Sequence, residues 1–145
     1  MKILILNGPN LNLLGKRSPK IYGTMSMESL LIDIQQTWPG VFFHYEQTNH
    51  EGVLIDFLQQ AVEINRVDGV IINPGGYGHT SVALRDAVEY VVEQAIPVVE
   101  VHISNIYERE AFRHQSLLTD VCSNTIIGHG VNGYKEAVAH ILTKH

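Results

Sequence analysis

The stretch LLGKRSPKIYGT, residues 13–24, gathers Lys16, Arg17 and Lys20 just ahead of Tyr22, three of the ten basic residues in a chain of formal net charge −5. Positive charge near a phenol favours its tyrosinate form, and a tyrosinate is a base strong enough to remove a proton next to a carbonyl. The alternative for a tyrosine set among Gly and Pro is a plain loop aromatic. Downstream, EVHISN (100–105) places Glu100 and His102 two residues apart, on one side of a predicted strand. A carboxylate beside an imidazole fixes its tautomer and supports its charged form, which makes the ring a proton donor near neutrality. Glu100 as a buried structural partner is compatible with that reading.

NPGGYGHTS (73–81) adds a turn in which Gly75, Gly76 and Gly78 let the backbone approach a ligand closely, while Thr80 or Ser81 can cap a following helix. The free N–H groups of that helix start favour an anion or a hydroxylated ligand, with Asn73 and His79 on either side; an ordinary strand-to-helix turn is the simpler reading. REAFRH (109–114) offers Arg109 and Arg113 on a predicted helical turn, where one could bind a carboxylate or both could form a solvated face. Eight histidines raise a metal site, but none has HxH or HExxH spacing and no acidic cluster accompanies them. His44, His114, His140 and His145 read as surface or packing residues, whereas His50, His79, His102 and His129 stand at predicted strand ends. GPNLNLLGK (8–16) lacks the spacing and the Ser or Thr of a phosphate loop, and NPGGYGH lacks GxGxxG, so nucleotide binding is not expected.

These residues need a frame to bring them together. Short runs rich in Val, Ile or Phe predict strands at 2–7, 41–47, 69–74, 98–103 and 125–128. Between them, apolar residues recur at helical spacing: Met27, Leu30, Leu31, Ile34, Trp38; Leu54, Phe57, Leu58, Ala61, Val62; Leu84, Ala87, Val88, Val91; and Tyr134, Ala137, Val138, Ile141, Leu142. Alternating strands and helices imply right-handed crossovers and a parallel sheet covered on both faces. The expected fold is a flavodoxin-like three-layer α/β sandwich, five strands in the order 2-1-3-4-5. Ligands in such sheets bind beyond the carboxyl ends of the strands, and those ends here are rich in Asn, His and Gly.

A length of 145 residues suits one domain over 1–145, and 45 % hydrophobic with 17 % charged residues is a globular composition. No run of about 18 apolar residues is available to span a bilayer. The N-terminus lacks a signal-peptide cleavage site and reads as the first strand. The single Cys122 reads as a small buried hydrophobe in a reducing, cytoplasmic compartment. Mild acidity with only short basic clusters argues against nucleic acid as a partner.

Together, NGPNLNLLGKRSPKIYG, the NPGGYGHTS turn, EVHISN, REAFRHQS and the closing GHGVNGY resemble type II 3-dehydroquinate dehydratases, the type II dehydroquinases, in order and spacing from first strand to last helix. The resemblance implies reversible dehydration of 3-dehydroquinate to 3-dehydroshikimate, the third step towards chorismate, by anti elimination through an enolate with no metal or cofactor. It implies the flavodoxin-like fold and a homododecamer, a tetramer of trimers. By the same resemblance Tyr22 would remove the C2 proton, and Arg17 would stabilise its anion and the transition state. His102 would protonate the departing C1 hydroxyl, Glu100 would orient it, and Asn10 would help hold the water that supports the enolate. Asn73, His79, Ile103 and Ser104 would bind substrate, the last two through backbone amides around its carboxylate. Arg113 would bind a substrate hydroxyl, and Asp86 would reach a site through the subunit interface.

The sequence departs from that family's pattern at CSNT (122–125), which is unusually polar before the last strand, and at His129, where an apolar or aromatic residue is common. Neither is expected to touch a catalytic position. The competing class is a flavodoxin-like flavin- or nucleotide-binding module, which predicts a Ser/Thr-rich loop where this chain has GPNLNLLGKR. A Schiff-base dehydroquinase would need a buried lysine, but Lys2, Lys16, Lys20, Lys135 and Lys144 fall at predicted ends or loops. Gly15 and Gly23 bracket the cationic loop as hinges of a lid that delivers base and counter-charge together, with Lys16 and Lys20 solvated.

Overall fold

In the computed structural model, which describes residues 1–145, the apolar runs become five parallel strands within a residue or so of their expected bounds. These are β1 (Lys2–Asn7), β2 (Phe42–Gln47), β3 (Gly69–Asn73), β4 (Val98–His102) and β5 (Asn124–Ile127). Their order is β2-β1-β3-β4-β5, as the alternation of strands and helices predicts. The helical stripes become α2 (Met27–Thr37), α3 (Glu51–Glu63), α4 (Val82–Glu93) and α5 (Asn132–Leu142). A single turn, α1 (Pro19–Tyr22), sits in the cationic loop.

Successive strand residues point to opposite faces, so each strand feeds two cores. Ile3, Ile5, Ile71, Val99 and Val101 pack with Leu30 and Ile34 of α2 and with Tyr134, Val138 and Ile141 of α5. Leu4, Leu6, Val70, Ile72 and Val98 pack with Leu54 and Leu58 of α3 and with Leu84, Val88 and Val91 of α4. The strands are therefore apolar at nearly every position because both faces are covered. Ser26 caps α2 by accepting from the Ser29 N–H (3.1 Å) and Ser81 caps α4 through the Leu84 N–H (2.9 Å), each worth about 1 kcal/mol. No helix is long and apolar enough to cross a membrane. Cys122 is half-buried rather than fully buried; desolvation, with the nearby Glu100 charge, pushes its thiol up.

Strand order reverses between β1 and β3, and the turns leaving these two strands lock together. The Gly8 N–H donates to the Asn73 carbonyl at 2.8 Å, and a Cβ on Gly8 would lie 2.5 Å from the Pro74 carbonyl oxygen. Gly75, at φ +58°, packs on Pro9 in return. Only glycine allows this approach, which sets the floor of the cavity described next.

Candidate active site

A cavity of about 150 Å³ opens over the carboxyl ends of β1, β3 and β4. Pro9, Asn10 and Leu11 follow β1 into its wall; Asn73, Gly75 and Gly76 come from β3 and its turn; Ile103 and Ser104 follow His102 out of β4. The cationic loop contributes Arg17 and Tyr22, and the segment after β4 contributes Arg109 and Arg113. No Asp or Glu lines the cavity, although three arginines do and the chain as a whole is acidic. The volume suits a small molecule, and the charge an anion.

One wall carries the phenol. Arg109 Nη1 donates to the Tyr22 hydroxyl oxygen at 2.9 Å, and the Arg17 guanidinium lies 4.5 Å from the centre of the Tyr22 ring. Arg109 also stands 5.5 Å from that ring centre and reaches Ser104 Oγ at 3.5 Å. One guanidinium thus donates to the phenol oxygen and the other lies over the face of its ring. Lys16 and Lys20 are exposed and outside the cavity wall. Gly15 (φ +89°) and Gly23 (φ +79°) bracket the loop in the left-handed region, where glycine is favoured.

The second wall carries the imidazoles. His102 is buried, and its Nε2 lies 2.5 Å from Glu100 Oε2, as the two-residue spacing on a strand predicts. Glu100 is fully buried, which alone would push its carboxyl up; the hydrogen bond and charge of His102, with the Ser116 and Thr119 hydroxyls, outweigh this and hold it below the usual carboxylate range. The His79 ring stands 5.9 Å from that of His102, and His79 Nδ1 pairs with the Gln115 carbonyl at 2.8 Å. Burial lowers the His79 pKa, opposed by that bond and aided by the His102 and Arg113 charges, so the ring is neutral at pH 7 and Nδ1 is the donor.

Asn73 is on the wall, but its amide is already engaged. Nδ2 donates to the buried Tyr134 hydroxyl (3.1 Å), Oδ1 accepts from the Gly75 N–H (3.2 Å), and the Tyr134 hydroxyl donates to Asn7 Oδ1 (2.7 Å). Asn10 takes a left-handed backbone, φ 69°, tied by its N–H to Asn49 Oδ1 at 3.0 Å. Arg113 forms an ion pair with Glu110. Both arginines of REAFRH thus border the cavity, from a 3-10 turn at Ala111–Arg113 and the residues before it, rather than forming a solvated face.

The glycine turn differs from expectation. A 3-10 segment, Gly75–His79, intervenes before α4, whose start is closed by Ser81 itself, so Gly75 and Gly76 face the cavity and the helix N-terminus does not. Asp86 is also elsewhere: it is exposed on α4 and lines an open cleft with Ile55, Gln59 and Tyr90. His50 precedes α3, outside the cavity wall, and His129 pairs with Glu136 at 2.6 Å on the surface. Within CSNT one residue reaches a candidate site residue: Thr125 Oγ1 donates to Glu100 Oε1 at 3.2 Å. No group of three or more His, Cys, Asp or Glu side chains is placed to hold a metal ion.

The sequence model of the family described as dehydroquinase class II matches residues 1–142. The 3-dehydroquinate dehydratase of an Exiguobacterium species is 49 % identical over 100 % of this chain and 96 % of its own. That of Prochlorococcus marinus is 49 % identical over 98 % and 94 % of the two chains. Among solved structures, the type II dehydroquinase of Butyrivibrio crossotus superposes with a TM-score of 0.92 at 45 % identity, covering 98 % of this chain and 97 % of that one.

Proposed function

This chain belongs to the class II dehydroquinase family, hydro-lyases that dehydrate 3-dehydroquinate in the shikimate pathway, and from that premise we propose how its own side chains divide the reaction. The observation that carries the assignment is that one cavity, with no acidic side chain in its lining, is bordered both by a Tyr22 contacted by two guanidiniums and by a His102 bound to a carboxylate. Removing a proton next to a ketone needs a base and relief of the charge that develops, and expelling a hydroxyl needs an acid on the other side.

Tyr22, as the phenolate, takes the C2 proton, and the C–H electrons pass into an enolate on the C3 oxygen. The enolate then collapses, forming the C1–C2 double bond as the C1 hydroxyl leaves. His102 supplies the proton that makes the departing hydroxyl water, with Glu100 holding the ring. Tyr22 ends protonated and His102 neutral, so the proton returns to His102 through solvent before the next turnover. Arg17 and Arg109 stabilise the phenolate, and a water on Asn10 supports the enolate. Ile103 and Ser104 receive the carboxylate through backbone N–H groups, while Asn73, His79 and Arg113 bind the ring hydroxyls.

Adding 3-dehydroquinate to the purified, colourless protein should produce enone absorbance that balances substrate lost; a yellow protein without turnover would favour the flavin-binding alternative instead. Borohydride with substrate should leave activity recoverable, whereas irreversible trapping would indicate a lysine Schiff base.

The working unit is proposed to be one cytoplasmic domain spanning 1–145, assembled as a dodecamer in which Asp86 reaches a neighbour's site. Supporting this, Asp86 is exposed beside an open cleft, and Val82 at the start of α4 and Ile64 just past the end of α3 leave 61 % and 71 % of their surface uncovered. Sedimentation should give twelve times the 16.2 kDa chain mass, and a monomer of full activity would overturn the interface role of Asp86.

A further inference from the structure

We propose that the hydroxyls of Ser116, Thr119 and Thr125 are positioning residues for the acid, acting on His102 through Glu100. The inference rests on the acid role given to His102 above. An ionised carboxylate has about four lone-pair sites, and all those of Glu100 are taken. His102 Nε2 (2.5 Å) and the Ser116 hydroxyl meet Oε2; Thr119 Oγ1 (2.8 Å) and Thr125 Oγ1 (3.2 Å) meet Oε1.

The donors come from different parts of the fold, each placed for its own reason. Thr125 is the register partner of Glu100 across the β4–β5 pair, so the two side chains share one face of the sheet. Ser116 and Thr119 lie on the segment after β4. Its backbone is fixed independently, by the Leu117 N–H to the Gly78 carbonyl (2.7 Å) and by Arg85 Nη1 to the Leu117 carbonyl (2.6 Å). Ser116 Oγ also closes its own turn by accepting from the Leu118 N–H (3.2 Å), whereas the Thr119 and Thr125 hydroxyls bond to Glu100 alone.

Their effect is on the carboxylate. A fully buried glutamate with only a histidine beside it could take up the Nε2 proton and become neutral, which would leave His102 a neutral imidazole whose remaining Nδ1 proton is far less acidic than that of an imidazolium. Three hydroxyl donors aimed at the remaining lone pairs favour the anion and leave Oε2 directed at Nε2. His102 Nδ1 makes no hydrogen bond within the chain and is the nitrogen left for substrate. The acid is thus held in a single tautomer and orientation by groups that never touch the substrate.

The test uses the full chain with 3-dehydroquinate. The Thr119→Val/Thr125→Val double variant keeps side-chain shape and should lower kcat about tenfold, the equivalent of one lost charge-assisted hydrogen bond, with KM nearly unchanged. Thr→Ser at both positions, which returns the two hydroxyls, should restore kcat. In a Glu100→Gln background the valines should add almost nothing, since they act only through that carboxylate. If Glu100→Gln lowers kcat while the double valine variant matches wild type, the hydroxyl role is overturned and the acid role of the pair stands. If Glu100→Gln itself leaves kcat unchanged, the orienting role assigned to Glu100 falls with it.

Discussion

Tyr22→Phe should lower kcat by about a thousandfold, within the range expected for losing a general base, while KM changes by no more than a few-fold. The phenol oxygen is the one atom removed. The ring keeps its place over Arg17, and Arg109 keeps its second contact with Ser104, so the shape and charge of the cavity persist. Substrate should therefore bind much as before while proton abstraction loses its base. A thousandfold loss corresponds to about 4 kcal/mol of transition-state stabilisation. Steady-state enone formation over a substrate series measures both constants, and turnover within a few-fold of wild type would remove Tyr22 as the base. Solvent cannot substitute easily, because hydroxide reaching C2 would have to replace a group already held in position beside two guanidiniums. The loss should accordingly persist as pH is raised, which separates a missing base from one that is merely present in the wrong protonation state.

Much of the frame that brings Tyr22 and His102 to one cavity is legible from local pattern. GVIIN reads as a strand covered on both faces from its shortness and β-branched residues, and the Leu84, Ala87, Val88, Val91 stripe reads as a helix with one buried side. Once strands and helices alternate, handedness and topology leave few sheet orders to choose from, and the carboxyl-end rim follows. The Glu100–His102 contact is legible for the same reason, being a two-residue spacing on a strand. What stays hidden is contact between segments with no periodic signal. Arg109 meets Tyr22 across 87 positions of chain, and in REAFRH nothing distinguishes an arginine facing a cavity from one facing water. Ser116 and Thr119 are hydroxyls in an irregular segment, indistinguishable from turn residues until Glu100 is seen beneath them. Thr125 carries at most a trace of its role, as a hydroxyl on the partly buried edge strand β5 beside Glu100. Asn7 and Tyr134 are readable as core positions, but not as the pair that fixes the Asn73 amide.

The hidden arginine gives the second large effect. Arg109→Ala should lower kcat about a hundredfold, because Nη1 makes the only hydrogen bond to the Tyr22 oxygen within the chain and a guanidinium donor is worth most when that oxygen is charged. Arg17→Ala should also act on kcat more than on KM, but through the ring face at 4.5 Å rather than through the oxygen. Coupling gives a sharper check than either single variant. If Arg109 works through the phenol, adding Arg109→Ala to Tyr22→Phe should cost far less than in wild type, and the cycle should show an interaction of about 2 kcal/mol. If Arg109 instead serves to bind the substrate carboxylate, KM should rise, kcat should hold, and the two substitutions should add. Arg109→Lys separates charge from geometry: an ammonium keeps the positive charge near Tyr22 but lacks the planar fork that reaches both the phenol oxygen and Ser104. A variant that recovers little of the lost rate would place the weight on that directed hydrogen bond, and full recovery would place it on the field alone.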